Sequence, residues 1–244
     1  MKGRRVLVTG MGGELGSLVA SMTERTEWAG DIMGFDVDPP RRNLQRSRFV
    51  RVGATQVDRI TELVAGFNPH VILHVGVWEP HARLNTDQAE ECTESVAKAV
   101  FQAAHAAPAL ETAVVRSGIE IYGAGTHTPN IAVESTPVAP TTTYGRMCAT
   151  IEQQATDLRI AKGINVCTLR LAPVLGAHVP SPLGRIMRLP VVPYHGLYNP
   201  VFSVVEDHDA AQAFMLGAER NADGVVNIVA NGATSMLREI GRAH

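Results

Sequence analysis

The chain has 244 residues, of which 45% are hydrophobic and 19% are charged, and its formal net charge is -2. This length and composition predict a globular protein with a full core, and the small net charge argues against a basic surface for nucleic acid or for an anionic membrane. The three cysteines lack the spacing of a disulfide framework or a zinc site, and the N-terminus lacks the pattern of a signal peptide, so we expect a cytoplasmic protein with no structural metal.

The predicted elements alternate between strands and helices along the chain. Strand-like runs cover 4–9, 31–37, 48–52, 71–76, 112–117 and 164–171, and helix-like stretches lie between them at 14–27, 56–67, 86–107 and 143–163. Several strand-like runs are continuously apolar, as expected of strands that helices cover on both faces. Short right-handed crossovers would join them into a doubly wound parallel sheet, so we predict an α/β Rossmann domain over residues 1–172.

The sequence changes character after residue 172. Residues 172–202 contain six of the 14 prolines, which favours loops and short elements over another strand-helix unit. A helix-like stretch at 206–220 and a strand-like run at 224–230 follow. We predict that residues 173–244 form a smaller C-terminal part on the substrate side that also adds to the Rossmann sheet. The final segment, 235–244, reads as part of a helix without a capping signal, which leaves open whether the natural chain continues past His244.

The segment "VLVTGMGGELGSLV" has glycines at the spacing of a dinucleotide-binding loop. Gly10, Gly13 and Gly16 follow a strand and open a helix. The first permits a tight turn, the second lets the backbone approach a pyrophosphate, and the third lets the helix pack on the strand. Backbone N–H groups at the start of the helix, including those of Glu14 and Leu15, would then face the phosphates.

The second predicted strand ends in "GFDVD", which places Asp36 20 residues after Gly16. A carboxylate at this point can bind both ribose hydroxyls of an adenosine and repels a 2'-phosphate, which favours NAD over NADP. The alternative is a glycine-rich turn that binds no ligand, with an incidental surface aspartate.

Further segments, in the same order and spacing, resemble the extended short-chain dehydrogenase/reductase family, the NAD-dependent nucleotide-sugar epimerases and dehydratases. They are "VILHVGV", "VVRSGIEIYG", "YGRMCATIE", "LRLAPVLG" and "VEDHDAAQAF". The resemblance implies a nucleotide-sugar substrate and a homodimer built from the helices at 86–107 and 143–163. It also implies cofactor contacts from Val37, Val75, Gly76, Tyr144 and Pro173.

In that family a tyrosine takes the proton of a sugar hydroxyl while hydride passes to NAD. A lysine four residues later stabilises the phenolate, because a free phenol has a pKa of about 10, and a serine or threonine binds the reacting oxygen. Tyr144 matches the tyrosine, but Cys148 stands at the lysine position and Gly118 at the hydroxyl position. Ser117 is the adjacent candidate, although alternation along a strand points it the other way.

Other positions also depart from the family pattern or invite a second interpretation. Lys98 is the one lysine that reach does not exclude as a substitute cation, and an inward-facing arginine is the other option. The family's aspartate for the adenine amine is replaced by Ala54, with Thr55 beside it. His70 and His74 are spaced like metal ligands, but a structural role is favoured because a strand does not bring i and i+4 together.

Two hypotheses follow from these residues. One is an NAD-dependent enzyme that acts on a nucleotide-linked sugar, with Tyr144 assisted by an unrecognised cation. The other is an NAD-binding sensor or partner protein that kept the cofactor site and lost the chemistry. A third, NADP-dependent reduction of a small carbonyl compound, is disfavoured by Asp36.

Overall fold

The computed structural model describes residues 3–78, 85–123, 132–177, 179, 201–232 and 234–235. The strands within these ranges are β1 Arg4–Thr9, β2 Ala29–Asp36, β3 Ser47–Arg51, β4 Val71–His74, β5 Thr112–Gly118, β6 Asn165–Leu171, β7 Val174–Leu175, β8 Val201–Phe202, β9 Val205–Glu206, β10 Gly224–Ile228 and β11 Thr234–Ser235. The helices are α1 Glu14–Thr23, α2 Val57–Phe67, α3 Thr86–Ala106, α4 Thr143–Lys162 and α5 Asp207–Glu219, with a short 3-10 helix at Ile119–Tyr122.

Seven of the strands form one parallel sheet in the order β10-β6-β5-β4-β1-β2-β3. The chain order reverses between β1 and β4, and in such sheets ligands bind at the carboxyl ends of the strands beside the reversal. The predicted α/β Rossmann fold is therefore confirmed, and β10 extends the sheet beside β6.

Helices cover both faces of this sheet. Along β1 the side chains alternate, so that Val6 and Val8 pack in the core with α1 and α5, while Leu7 packs in the core with α2, α3 and α4. Both cores are built from buried apolar residues, which explains why the sheet strands read as continuous apolar runs in the sequence.

The limits of α4 follow from its capping residues. Thr142 accepts a hydrogen bond from the Gly145 backbone N–H at the start of the helix, and Gly163 ends it in the left-handed conformation at φ +64°. This start places Tyr144 in the first turn, at the carboxyl end of the neighbouring strand β5.

The connection between β2 and β3 is held by side chains of α1 and of the residue after it. The Glu24 carboxylate accepts backbone N–H groups of Gln45, Arg46 and Ser47, at 2.9, 2.7 and 2.7 Å. The Ser17 hydroxyl accepts the Arg41 N–H at 2.8 Å. The predicted continuation of α1 to residue 27 was therefore wrong: the helix ends at Thr23 and Glu24 caps it before binding this connection.

The C-terminal part is described only in pieces. Most of the proline-rich stretch, at 178 and 180–200, and the final residues 236–244 lie outside the described residues. Within the described part, β7 pairs with β9, β8 pairs with β11, and α5 packs under the main sheet. Among the described helices, none is long and apolar enough to cross a membrane.

Candidate active site at the end of the dinucleotide cavity

The glycine loop between β1 and α1 is closed by backbone contacts. Gly10 has φ +69°, and a Cβ there would overlap the backbone of Gly76; a Cβ at Gly16 would overlap the Gly10 carbonyl. A Cβ at Gly13 would meet only the Gly10 oxygen, at 3.5 Å. Packing therefore requires glycine at 10 and 16, whereas Gly13 leaves open space at the N-terminus of α1, where a phosphate can approach the N–H groups.

Asp36 is fixed at the end of β2 by backbone donors. Its carboxylate accepts the N–H of Gly12 at 3.0 Å and that of Val37 at 2.6 Å. Burial raises the pKa of Asp36, while these hydrogen bonds oppose the increase. The carboxylate is thereby held beside the glycine loop, in the position from which it can bind ribose hydroxyls.

A cavity of about 640 Å³ runs along the carboxyl ends of the central strands. The predicted cofactor-binding residues among its lining are Gly10, Gly13, Glu14, Leu15, Gly16, Asp36, Val37, Val75 and Gly76. Pro173 and Tyr144, also predicted as cofactor contacts, are not among the described lining residues, whereas Val174, next to Pro173, and Arg116, which donates to the Tyr144 hydroxyl, are. The open phosphate position, the fixed carboxylate and the volume of the cavity fit a dinucleotide.

The adenosine end of this cavity lacks the family's aspartate. Ala54 lines it, while Thr55 is exposed and is not among the described lining residues. Arg41 lines the same end and pairs with Glu14 at 3.5 Å, with the arginine side chain 41% exposed. Sequence reasoning overlooked Arg41, whose guanidinium compensates the carboxylate at the mouth of the phosphate site.

At the other end of the cavity, an arginine contacts Tyr144. Arg116 lies on β5, is 8% exposed and lines the cavity, and its Nη2 donates to the Tyr144 hydroxyl at 3.3 Å. Lys98, the candidate lysine from the sequence, is exposed, and Lys162 at the far end of α4 donates to the carbonyl of Ala107. The cation beside Tyr144 thus comes from the strand and not from the tyrosine's own helix.

Cys148 is fully buried one turn after Tyr144. Burial raises the pKa of its thiol to about 12; the charge of Glu120 adds to the increase, and that of Arg116 opposes it. The thiol is therefore neutral, as expected of a small buried hydrophobe, and it supplies neither the charge of a lysine nor a thiolate nucleophile.

Gly118 lies where three side chains meet. A Cβ there would be 2.6 Å from Oε2 of Glu120, 2.9 Å from Cε1 of Tyr144 and 3.6 Å from Sγ of Cys148. The space that a serine or threonine side chain would need beside Tyr144 is therefore already taken, chiefly by the Glu120 carboxylate.

Ser117, predicted as a candidate catalytic hydroxyl, is fully buried on β5. Its Oγ donates to Oε1 of Glu152 at 2.6 Å, and Glu152 lies eight residues after Tyr144 on α4. Alternation along β5 places Arg116 and Gly118 toward Tyr144 and directs Ser117 into a buried network with Glu152 and Arg170.

The histidines have structural environments. Nδ1 of His70 accepts the Arg5 N–H at 2.9 Å. His74 is fully buried, its Nδ1 lies 2.9 Å from the Thr9 hydroxyl, and burial lowers its pKa to about 4. Among the described residues, Glu206, Asp207 and His208 could together offer metal ligands, but they lie at the surface, where acidic groups are common without an ion.

Two residues of this site, Arg116 and Glu120, were not identified from the sequence. A signal for the first was present: Arg116 is a charged residue inside the apolar run "TAVVRS", and a buried charge requires a partner. Arg116 and Gly118 are two residues apart on β5, so alternation places them on the same face of the sheet. The partner of Arg116 is therefore expected on the face where the family's hydroxyl would stand. Glu120 follows the strand, where alternation no longer predicts direction.

The profile of the NAD dependent epimerase/dehydratase family matches residues 6–191. Relatives that match at 25% identity over 98% of the chain are uncharacterized proteins of Mycobacterium bovis and Mycobacterium tuberculosis, and the chain spans 65% of their length.

Similar solved structures include a dTDP-glucose 4,6-dehydratase from Bacillus anthracis in complex with NAD, with 18% identity and a TM-score of 0.80 over 98% of this chain and 80% of that one. A UDP-glucose 4-epimerase from Brucella ovis in complex with NAD has 19% identity and a TM-score of 0.80 over 98% and 81%. At these identities the two structures establish the shared fold.

Proposed function

Because this chain belongs to the NAD dependent epimerase/dehydratase family, we propose that it binds NAD and transiently oxidises a hydroxyl group of a nucleotide-linked sugar. The observation that carries the proposal is the contact of 3.3 Å between Arg116 and the Tyr144 hydroxyl at the end of the dinucleotide cavity. Loss of the family's lysine alone would leave the Tyr144 hydroxyl without a neighbouring cation, whereas here Arg116 supplies one.

The chain's own residues fit the dinucleotide. Gly13 and the N–H groups at the start of α1 would hold the pyrophosphate, and Asp36 would hold the adenosine ribose. NAD, when bound, supplies the hydride acceptor. Asp36 makes NAD the expected cofactor, and the family description agrees.

Arg116 would hold the Tyr144 hydroxyl in place against the substrate. A guanidinium remains charged at any physiological pH and can only donate hydrogen bonds. Its burial strengthens this interaction, because the low dielectric of the interior weakens screening by water. Tyr144 would then present its hydroxyl to the reacting oxygen of the sugar.

The test combines binding with turnover. Purified protein is titrated with NAD by calorimetry, then mixed with NAD and either UDP-glucose or dTDP-glucose while reduction of the nicotinamide and loss of the sugar are followed. Tyr144→Phe and Arg116→Ala should each lower kcat by about 10²-fold or more while NAD still binds, and Arg116→Lys should retain part of the activity. Arg59→Ala, at an exposed site on α2, is the matched control.

A second candidate is an NAD-binding sensor or partner protein. It is favoured by Cys148, whose neutral buried thiol replaces the charge of the family's lysine. Binding of NAD without turnover of these nucleotide sugars would support this candidate and contradict the enzyme. Loss of a measured activity in Tyr144→Phe would do the reverse.

A cytoplasmic homodimer remains part of the proposal. The helices α3 and α4 pack side by side on one face of the sheet, as an interface made from both would require. Their outward residues are mostly polar, with Ile160 the large exposed apolar side chain at 72%. Sedimentation that finds only monomer at micromolar concentration would contradict the homodimer.

A further inference from the structure

Arg41 lies beside the N-terminus of α1, where the open position at Gly13 lets a phosphate approach. Its Nε is 3.5 Å from Oε1 of Glu14, the first residue of that helix, and both side chains line the cavity. The arginine is the more exposed of the two. A permanent cation therefore stands where backbone N–H groups and the helix dipole already favour an anion.

The backbone that carries Arg41 is fixed to the glycine loop. Pro39 and Pro40 precede it and restrict the backbone dihedral angles. The Arg41 N–H donates to the Ser17 hydroxyl at 2.8 Å, and that hydroxyl donates to the carbonyl of Met11 at 2.8 Å. A side chain that starts from a fixed backbone loses less conformational freedom when it binds a ligand.

The charges along the cavity make a cation at this point important for binding. Glu14, Asp36 and Asp38 line the cavity, and the basic residues among its described lining are Arg41 and Arg116. Arg116 lies at the other end, so Arg41 is the basic side chain beside the glycine loop. The phosphates of a dinucleotide bring further negative charge next to Glu14, and like charges repel each other.

The pair between Arg41 and Glu14 is weak enough to be exchanged for another partner. An ion pair of 3.5 Å that involves a partly exposed arginine contributes little to stability. A guanidinium has five N–H donors in a planar fork that matches the oxygens of a phosphate group, and it stays charged at any physiological pH. Glu14 and a phosphate are thus alternative partners for the same group.

We propose that Arg41 binds the pyrophosphate of the dinucleotide directly, and that Glu14 competes with the phosphates for its guanidinium. The Glu14 carboxylate then lowers the affinity for NAD, although it lies inside the binding cavity. Asp36 remains the residue for the adenosine ribose. This inference rests on the dinucleotide binding in the proposed function and not on turnover of a sugar.

The test measures the Kd of NAD and of ADP by calorimetry at low salt, where charge interactions are least screened. Arg41→Ala should raise both Kd values about 10-fold or more, because a hydrogen bond between charged groups is lost. Arg41→Lys should retain part of the affinity. Glu14→Gln should lower both Kd values by about 2- to 5-fold. Adenosine, which has no phosphate and is measured by displacement of NAD, should bind equally to wild type and Arg41→Ala.

A double variant separates direct binding from neutralisation of Glu14. If Arg41 only neutralises that carboxylate, Arg41→Ala has no effect in a chain that carries Glu14→Gln, and this result would overturn the proposal. Direct binding predicts that Arg41→Ala still raises the Kd of NAD and ADP by about 10-fold in that chain. A larger loss for NADP than for NAD in Arg41→Ala would also overturn it, because the guanidinium would then serve a 2'-phosphate.

Arg59 and Glu62 provide the matched control. They form an exposed pair on α2, at 3.8 Å, and neither is among the described lining residues of the cavity. Arg59→Ala should leave every Kd unchanged. Arg41→Gln keeps a polar side chain and should show the same losses as Arg41→Ala, so the result does not depend on the folding of a single variant.

The outcomes separate this inference from the proposed enzyme. The predicted losses of NAD and ADP affinity, without turnover of either sugar in the wild type, would contradict the enzyme and support the role of Arg41. Turnover with unchanged Kd values in Arg41→Ala would support the enzyme and overturn the role of Arg41.

Discussion

The space around Gly118 shows how single residues constrain one another at this site. Glu120, Tyr144 and Cys148 surround a position where a side chain would overlap two of them. A protein interior transmits such overlap because it is packed as densely as an organic crystal. Larger side chains at positions 118 and 148 should therefore displace Arg116 and Glu120 as well.

Gly118→Ala should lower the free energy of unfolding by about 1–3 kcal/mol, since the new methyl group overlaps the Glu120 carboxylate and the Tyr144 ring. The measurement is chemical denaturation. Gly66→Ala is the control: it lies in α2 with nothing within 4 Å of an added Cβ, so we expect a neutral change or a gain of up to about 1 kcal/mol from helix propensity. Equal losses in both variants would contradict the packing at Gly118.

Cys148→Lys restores the family's lysine but should not restore a stable site. The new ammonium would be buried beside the guanidinium of Arg116, and like charges in a low dielectric repel strongly. We expect a large loss of stability that becomes smaller, by on the order of 1 kcal/mol, when Arg116→Ala is also present. Additive losses in the double-mutant cycle would show that the two positions do not interact.

At the scale of elements, a buried polar network joins α4 to β5 and β6. Arg170 on β6 pairs with Glu152 on α4 at 2.7 Å, with side chains 5% and 13% exposed. Ser117 donates to the same carboxylate, and Arg170 donates to the Tyr122 hydroxyl at 2.8 Å. Burial disfavours the charge of Arg170, but these hydrogen bonds raise its pKa overall. The network fixes the helix that carries Tyr144 against the strand that carries Arg116.

Removing one partner of this pair should be costly. Glu152→Ala leaves the Arg170 charge buried without its carboxylate, and we expect a loss of about 3–5 kcal/mol in the free energy of unfolding. Glu62→Ala breaks the exposed pair with Arg59, at 3.8 Å, and should cost less than about 0.5 kcal/mol. Denaturant melts of both variants provide the comparison, and similar losses would contradict a special role for the buried network.

Most elements could be predicted from the sequence because their signals are local. Apolar runs gave the strands to within a few residues, and Thr142 and Gly163 mark the ends of α4 through short-range capping. The pairing of Arg116 with Tyr144 joins residues 28 apart, and it depends on how α4 lies against β5. No local pattern specifies that geometry, so the sequence allowed an inward-facing arginine beside Tyr144 without indicating that it is Arg116.

For the molecule as a whole, stability depends on a histidine in the middle of the sheet. His74 ends β4, next to β1 and β5, and it is fully buried against Phe101 with ring centroids 5.1 Å apart. Burial lowers its pKa to about 4. The folded protein therefore keeps this imidazole neutral under conditions where the unfolded chain protonates it.

The free energy of unfolding should consequently decrease as pH falls. A histidine of ordinary pKa, about 6.5, in the unfolded chain and about 4 in the folded one contributes its full stability above pH 6.5 and loses it progressively toward pH 4, by about 3 kcal/mol in total. Denaturant melts across this range measure the slope. His74→Gln should flatten it, whereas His105→Gln, at an exposed site, should leave it unchanged.

The bonds from α1 to the β2–β3 connection have a consequence for how the protein opens. Four amide protons of that connection, on Arg41, Gln45, Arg46 and Ser47, are held by side chains of Ser17 and Glu24. Their hydrogen bonds to these two side chains must break before the amides exchange with deuterium, so we expect the four to exchange together when the connection separates from the helix. Because the other end of the same helix faces the phosphate site, a bound dinucleotide should slow the exchange of all four together.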